Sequence, residues 1–171
     1  SITEDITMSV INFAKRQKID VVFDAEQEEL YCDIDIDQME RIMLNILSNA
    51  IKYNKPNGNI DVIVKDRKEK VYIDVIDSGI GIPKDRINTI FDRFERMENK
   101  NAVIKEGSGI GLSIVKKLVD ALDGEINIES EVDKGTTVRL IFKKSKNQNG
   151  IEEVYDISQH LEEKVNLEMS D

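Results

Sequence analysis

Three stretches of this chain carry residue types whose spacing could do chemistry. In Asp37–Tyr53, the residues Arg41, Asn45, Asn49 and Lys52 recur at i, i+4, i+8 and i+11, so a helix would align them as one polar stripe. Asparagine is a poor mid-helix residue because its side chain competes for backbone hydrogen bonds, and two of them one turn apart weaken a helix for no gain in packing. Their amide oxygens are neutral hard ligands of the kind Mg²⁺ accepts, and a lysine one turn on could meet an anion held by the same metal. A solvated surface stripe is the plain alternative.

The second stretch is Asp77-Ser78-Gly79-Ile80-Gly81-Ile82-Pro83, an acid at the end of a β-branched run followed by a tight glycine turn. An ionised Asp only accepts hydrogen bonds, so one facing a pocket could take a hydrogen from the amine of adenine and reject the carbonyl of guanine. An ordinary strand-to-helix turn would look the same. The third is Gly107-Ser108-Gly109-Ile110-Gly111-Leu112, which leads into a helix, so that backbone N–H groups converge where a phosphate could sit. It lacks the Lys-Ser/Thr of a P-loop and the G-x-G-x-x-G spacing of a dinucleotide site, and a merely flexible loop remains open.

These residues need elements to hold them. Apolar periodicity predicts a helix from Ile2 up to Lys15–Lys18, short strands over Ile19–Phe23 and Leu30–Ile36, and a strong helix from Asp37, with Asp37 and Glu40 as its capping box. Two hairpins follow from turn signals, Ile60–Asp66 with Val71–Ile76 and Glu125–Ser130 with Thr136–Lys143. Between them, Pro83 opens a helix to about Phe94, residues 95–106 are polar and aperiodic, and Ile110–Leu122 is helical until Gly124 ends it. Phe91 and Phe94 read as helix core, Cys32 as a buried strand residue and His160 as a solvated one.

Composition narrows the functions. The 171 residues suit one domain, residues 1–144, with an acidic extension over 145–171 that reads as mobile; residues 146–171 hold seven acids against two lysines. A net charge of −10 argues against nucleic acid and anionic lipid as partners. One Cys and one His exclude internal disulfides and the usual zinc sites. No apolar run is long enough for a membrane span, so the expected location is cytoplasmic, with a membrane-anchored parent left open.

In order, Asn45-x-x-x-Asn49-Ala-Ile-Lys52-Tyr53, the Asp77 turn, Phe91-Asp-Arg-Phe94, the Gly107–Leu112 loop and Gly135-Thr-Thr137 resemble the N box, first glycine box, F box, second glycine box and terminal Gly-Thr strand of the sensor histidine kinases. The resemblance covers roughly residues 1–144, and four ordered boxes are far more specific than one glycine loop. It implies the catalytic, ATP-binding domain of the Bergerat (GHKL) fold, an α/β two-layer sandwich with a mixed sheet, helices on one face and a flexible ATP lid.

By that resemblance, Asn49 would ligate Mg²⁺ with help from Asn45, Lys52 would meet phosphate and Tyr53 would pack along the adenine. Asp77 would bind the adenine amine, Gly79 and Gly81 would shape its pocket, and Thr137 would support the base through water. Gly107, Gly109, Gly111 and Leu112 would form the phosphate-side lid, which is expected to gain order with nucleotide, and Arg93 or Arg96 would stabilise the γ-phosphate. Related hydrolases carry Glu where this chain has Asn45, and a neutral amide cannot act as that general base, so transfer to a protein histidine is favoured over hydrolysis. Anti-sigma serine kinases and a non-catalytic nucleotide-docking module are the competing readings. The family's phosphoacceptor histidine lies in an upstream dimerisation domain, so this chain alone is expected to be monomeric and not to autophosphorylate. A response regulator would act downstream.

Overall fold

The computed structural model describes residues 2–27, 30, 32, 34–91 and 109–145, with Gly109–Gly111 described through their backbone. Helix α1, Ile2–Arg16, turns Ile6, Val10 and Ala14 inward and carries acids in its first turn and bases in its last, as its dipole favours. Strand β1, Asp20–Ala25, follows.

Helix α2, Ile36–Lys52, is the centre of the core. Met43, Ile46 and Leu47 are almost wholly buried, each such side chain contributing roughly 1.5–3 kcal/mol of transfer free energy. Two expectations fail at its start. The cap is Asp35, which accepts from the Gln38 N–H at 3.1 Å, not Asp37 with Glu40. The expected strand over Leu30–Ile36 is absent at its described positions: Ile36 is already helical, while Leu30, half-buried Cys32 and Ile34 pack on the core from irregular backbone. The alternation Ile34-Asp35-Ile36 that suggests a strand is an N-cap flanked by two apolar residues.

Strands β2, Asn59–Arg67, and β3, Lys70–Asp77, form the first hairpin, and β4, Glu125–Glu131, and β5, Gly135–Lys143, the second. Helix α3 covers only Lys84–Ile87, shorter than the run from Pro83 to Phe94 expected of it; residues 88–91 turn, and Phe94 lies outside the described residues. Helix α4 spans Gly109–Ala121. At its end Asp123, not Gly124, takes the left-handed position (φ 54°), and the Gly124 N–H returns to the Val119 carbonyl at 3.0 Å.

The five strands form one sheet in the order β1-β2-β3-β5-β4. The β1–β2 pair is parallel, and α2 supplies the crossover that parallel strands require; the other pairs are antiparallel. Helices α1, α2 and α4 cover one face, where Ile60, Val62, Val75, Val115 and Leu140 complete the core. The sheet is therefore mixed with its helices on one side, as expected. Strand alternation sends Val71, Ile73, Val75 and Asp77 toward the helices and Tyr72, Asp74 and Ile76 the other way.

Candidate functional site

The β3 strand ends at Asp77, on the helix-covered face and beyond the last core valine. Its Oδ1 accepts the Gly79 N–H at 2.8 Å and the Thr136 N–H at 3.2 Å. The second oxygen, Oδ2, accepts no protein hydrogen bond among the described residues. Burial raises the carboxyl above the ordinary Asp value, and the two N–H donors only partly oppose that. The group is thus held in place by one oxygen and offers the other.

The turn after Asp77 closes against the end of α2. The Tyr53 carbonyl accepts the Ile80 N–H at 3.0 Å, and a Cβ on Gly79 would lie 2.4 Å from that same carbonyl oxygen. Glycine is required there because two backbones meet. Gly81 sits beside the Glu131 backbone, and the Asp133 N–H bonds the Ile80 carbonyl at 2.9 Å, which ties the turn to the β4–β5 loop. Gly135 is fixed more tightly still: its φ is +114°, and a Cβ would fall 1.9 Å from the Asp77 carbonyl oxygen. Tyr53, Asp77 and Gly79, 24 residues apart at the Asn54–Ser78 hydrogen bond, therefore form one constellation.

The polar side chains of α2 behave differently from one another. Asn45 Nδ2 bonds back to the Arg41 carbonyl at 2.8 Å, which leaves its oxygen as the unengaged end. Asn49 is the anomaly of the helix. Its Oδ1 and Nδ2 are both buried, and neither has a hydrogen-bond partner among the described residues. A buried amide without partners costs about 1–3 kcal/mol per unsatisfied group, which makes this side chain a candidate to meet a ligand. An amide oxygen of this kind is a suitable ligand for Mg²⁺, and an amide N–H suits a phosphate oxygen. Lys52, half-buried, stands at the last helical position, next to Tyr53.

On β5 the register corrects one assignment. Asp77 lies opposite Thr136, and Thr137 lies opposite Ile76, so Thr137 belongs to the face away from the helices. Thr136, not Thr137, is the threonine beside Asp77. Adjacent threonines cannot be told apart from sequence unless the register is known, because a slip of one residue exchanges the faces. Ser130 was also missed: it pairs with Thr136 across β4, which places Ser130, Thr136 and Asp77 in one row over three strands. Gly109, Gly111 and half-buried Leu112 lie in the first turn of α4. Gly107, Arg93, Arg96 and the expected lid over 95–106 lie outside the described residues, as do His160 and the acidic extension.

Comparison with known proteins adds the family. Residues 34–146 match the model of the histidine kinase-, DNA gyrase B-, and HSP90-like ATPases. The chain is 37% identical over 126 residues to the sensor histidine kinase WalK of Bacillus subtilis, covering 72% of this chain and 21% of that protein. It is 36% identical over 140 residues to the signal transduction histidine-protein kinase ArlS of Staphylococcus aureus, covering 81% of this chain and 31% of that protein. The chain thus spans only about a fifth to a third of the length of these curated relatives. Among solved structures, the catalytic domain of histidine kinase ThkA superposes with a TM-score of 0.72 at 26% identity, over 84% of this chain and 90% of that one. The mycobacterial sensor histidine kinase MprB gives 0.71 at 26% identity, over 83% and 95%.

Proposed function

This chain belongs to the histidine kinase-, DNA gyrase B-, and HSP90-like ATPases, as an ATP-binding catalytic domain of the histidine-kinase type, and from that premise we propose how it uses its nucleotide. ATP lies between α2 and the Asp77 turn as the Mg²⁺ complex. Its γ-phosphoryl group passes to a histidine on a separate dimerisation domain, and a response regulator receives it afterwards. Among the described residues no helix is long and apolar enough to cross a membrane.

Each role rests on a position already described. Asp77 Oδ2 accepts a hydrogen of the adenine 6-amine, while Tyr53, Gly79 and Gly81 line the base. Asn49 turns its unpartnered amide to the metal and the phosphates, Asn45 supports it through its free oxygen, and Lys52 contributes positive charge one turn later. When bound, Mg²⁺ supplies charge neutralisation on the phosphate oxygens. With an amide at 45 and no carboxylate there, α2 offers no base to activate water at that position, which favours transfer over hydrolysis. The arginines 93 and 96 and the glycines 107, 109 and 111 keep their roles at the γ-phosphate and the lid as part of this proposal.

The observation that carries the reading is the orphaned, buried amide of Asn49. Calorimetric titration of ATP with and without Mg²⁺ tests it against Asn49→Ala. The variant should lose at least tenfold in Mg²⁺-dependent ATP affinity and yet be more stable without ligand, by about 1–2 kcal/mol, since an unsatisfied buried group and a weak helix former both disappear. Unchanged affinity would sink the metal assignment. Transfer is tested by adding a separate dimerisation domain and following a phosphoryl group labile to acid and stable to base. ATP binding without transfer would support the docking-module reading instead.

A further inference from the structure

The Ser130 hydroxyl makes three polar contacts close to Asp77, and nothing in the roles assigned so far uses it. It lies 2.7 Å from the Ile82 N, 3.0 Å from the Gly135 carbonyl oxygen and 2.8 Å from Thr136 Oγ1. A hydroxyl has one proton to give and two lone pairs to fill. The Gly135 carbonyl can only accept, so the serine proton goes there. The Ile82 N–H can only donate, so it fills one lone pair. The contact with Thr136 then needs a proton that Ser130 has already spent, and Thr136 must supply it. Thr136 Oγ1 is left with lone pairs alone.

We propose that Ser130 determines base specificity without touching the base, by holding the Thr136 hydroxyl as an acceptor. Free threonine hydroxyls are ambiguous: they rotate to donate to a carbonyl as readily as they accept from an amine. Fixed by Ser130, Thr136 presents lone pairs next to the Asp77 carboxylate, to which its own backbone N–H also donates. Two acceptors side by side match the two hydrogens of a purine 6-amine, and neither can donate to a 6-carbonyl. Asp77 alone would supply only half of that discrimination. Because Ser130 acts through Thr136, it is a positioning residue. The Ile82 bond lets the same hydroxyl fix the turn that follows Asp77. The proposal rests on the reading of Asp77 as the adenine partner.

The test is competitive titration of ATP and ITP, which differ at the base in carrying a 6-amine beside an acceptor N1 or a 6-carbonyl beside an N1–H. The wild-type chain should prefer ATP strongly. Ser130→Ala frees the Thr136 proton and should cut the ATP/ITP preference about tenfold, mainly through tighter ITP binding, a gain that mere loss of structure cannot produce. Ser130→Thr, which keeps the hydroxyl, should restore the preference. Thr136→Val should lower it as well, and the double variant should add nothing beyond Thr136→Val. Thr136→Val also keeps the proposal testable should Ser130→Ala fail to fold. An unchanged preference in Ser130→Ala or in Thr136→Val, beside a collapsed one in Asp77→Asn, would overturn the proposal and leave the Asp77 reading standing. A wild-type chain that does not distinguish ATP from ITP, or an Asp77→Asn variant that still does, would overturn both.

Discussion

Strand β3 carries two aspartates three residues apart, one on each face of the sheet. On the face away from the helices, Asp74 has a side chain 1% exposed and meets a bidentate Arg139, at 2.7 and 2.9 Å, and Lys65 at 2.7 Å. Arg139 also stacks over Tyr72, 5.1 Å from the ring centre. On the other face, Asp77 meets only backbone N–H groups among the described residues, and one oxygen takes none of them. Burial pushes both carboxyls up. At Asp74 the hydrogen bonds and charges of Arg139 and Lys65 outweigh it and the value falls below the ordinary one, whereas at Asp77 burial prevails. A buried charge answered on all sides is a fastening. A buried charge left partly unanswered is a binding capacity maintained at some cost to the empty fold.

The contrast can be broken most sharply at Asp77. Asp77→Asn should reduce ATP affinity a hundredfold or so while leaving the empty domain as stable as before or more so, because an amide oxygen can still take both N–H groups and no charge is buried. Calorimetry and thermal unfolding on one sample decide it; joint loss of binding and stability would contradict the assignment. Asp74→Ala should do the reverse. It strands Arg139 and Lys65, which are 38% and 23% exposed, so the loss belongs below the range for fully buried pairs, at about 2 kcal/mol of stability, with ATP affinity changed less than threefold. Denaturant unfolding measures it.

Acidity gives the finest separation. Asp74 is depressed in the folded state, so its stabilisation is full above its unfolded value and disappears as pH falls through the lower folded one. Asp77 is raised, so its contribution is full below its unfolded value and is lost as pH rises through the higher folded one. Relative to wild type, Asp74→Asn should therefore look worst at neutral pH and recover in acid, whereas Asp77→Asn should gain on wild type as pH climbs above about 4. Melting temperatures across that span, for both variants, provide the check. ATP affinity should also begin to weaken on acidification at a higher pH than an ordinary Asp would dictate.

Sequence patterns carried most of the scaffold, for reasons visible in particular residues. The apolar stripe from Met39 to Ile51 could only be one helix, and Asp133–Gly135 marked a hairpin through its turn chemistry. Around 30–36 the same logic misled, since two isoleucines flanking a capping aspartate mimic strand alternation. Asp77 and Gly79 were legible as candidates because an acid at a strand end before a tight glycine turn stands out, whereas Tyr53 was legible only through the family resemblance. Thr136 and Ser130 were not, because their meaning lies in cross-strand register, which no local pattern specifies. Asn49 fell between: its oddity in a helix was readable, while the burial of both its amide atoms without partners was not.

The strand order has a last consequence, for how the chain is made. Because β5 lies between β3 and β4, the final strand of the sheet is an interior one, and Asp77 must wait for a partner 59 residues downstream. While a ribosome is still synthesising the intervening segment, β3 is an open edge, able to pair with any extended chain nearby. A nascent chain halted before Thr136 therefore has most of its hydrophobic helices but no closed sheet and no second acceptor beside Asp77. Nucleotide can meet the assembled site only after β5 has left the exit tunnel, which makes ligand capture a signature of a finished sheet.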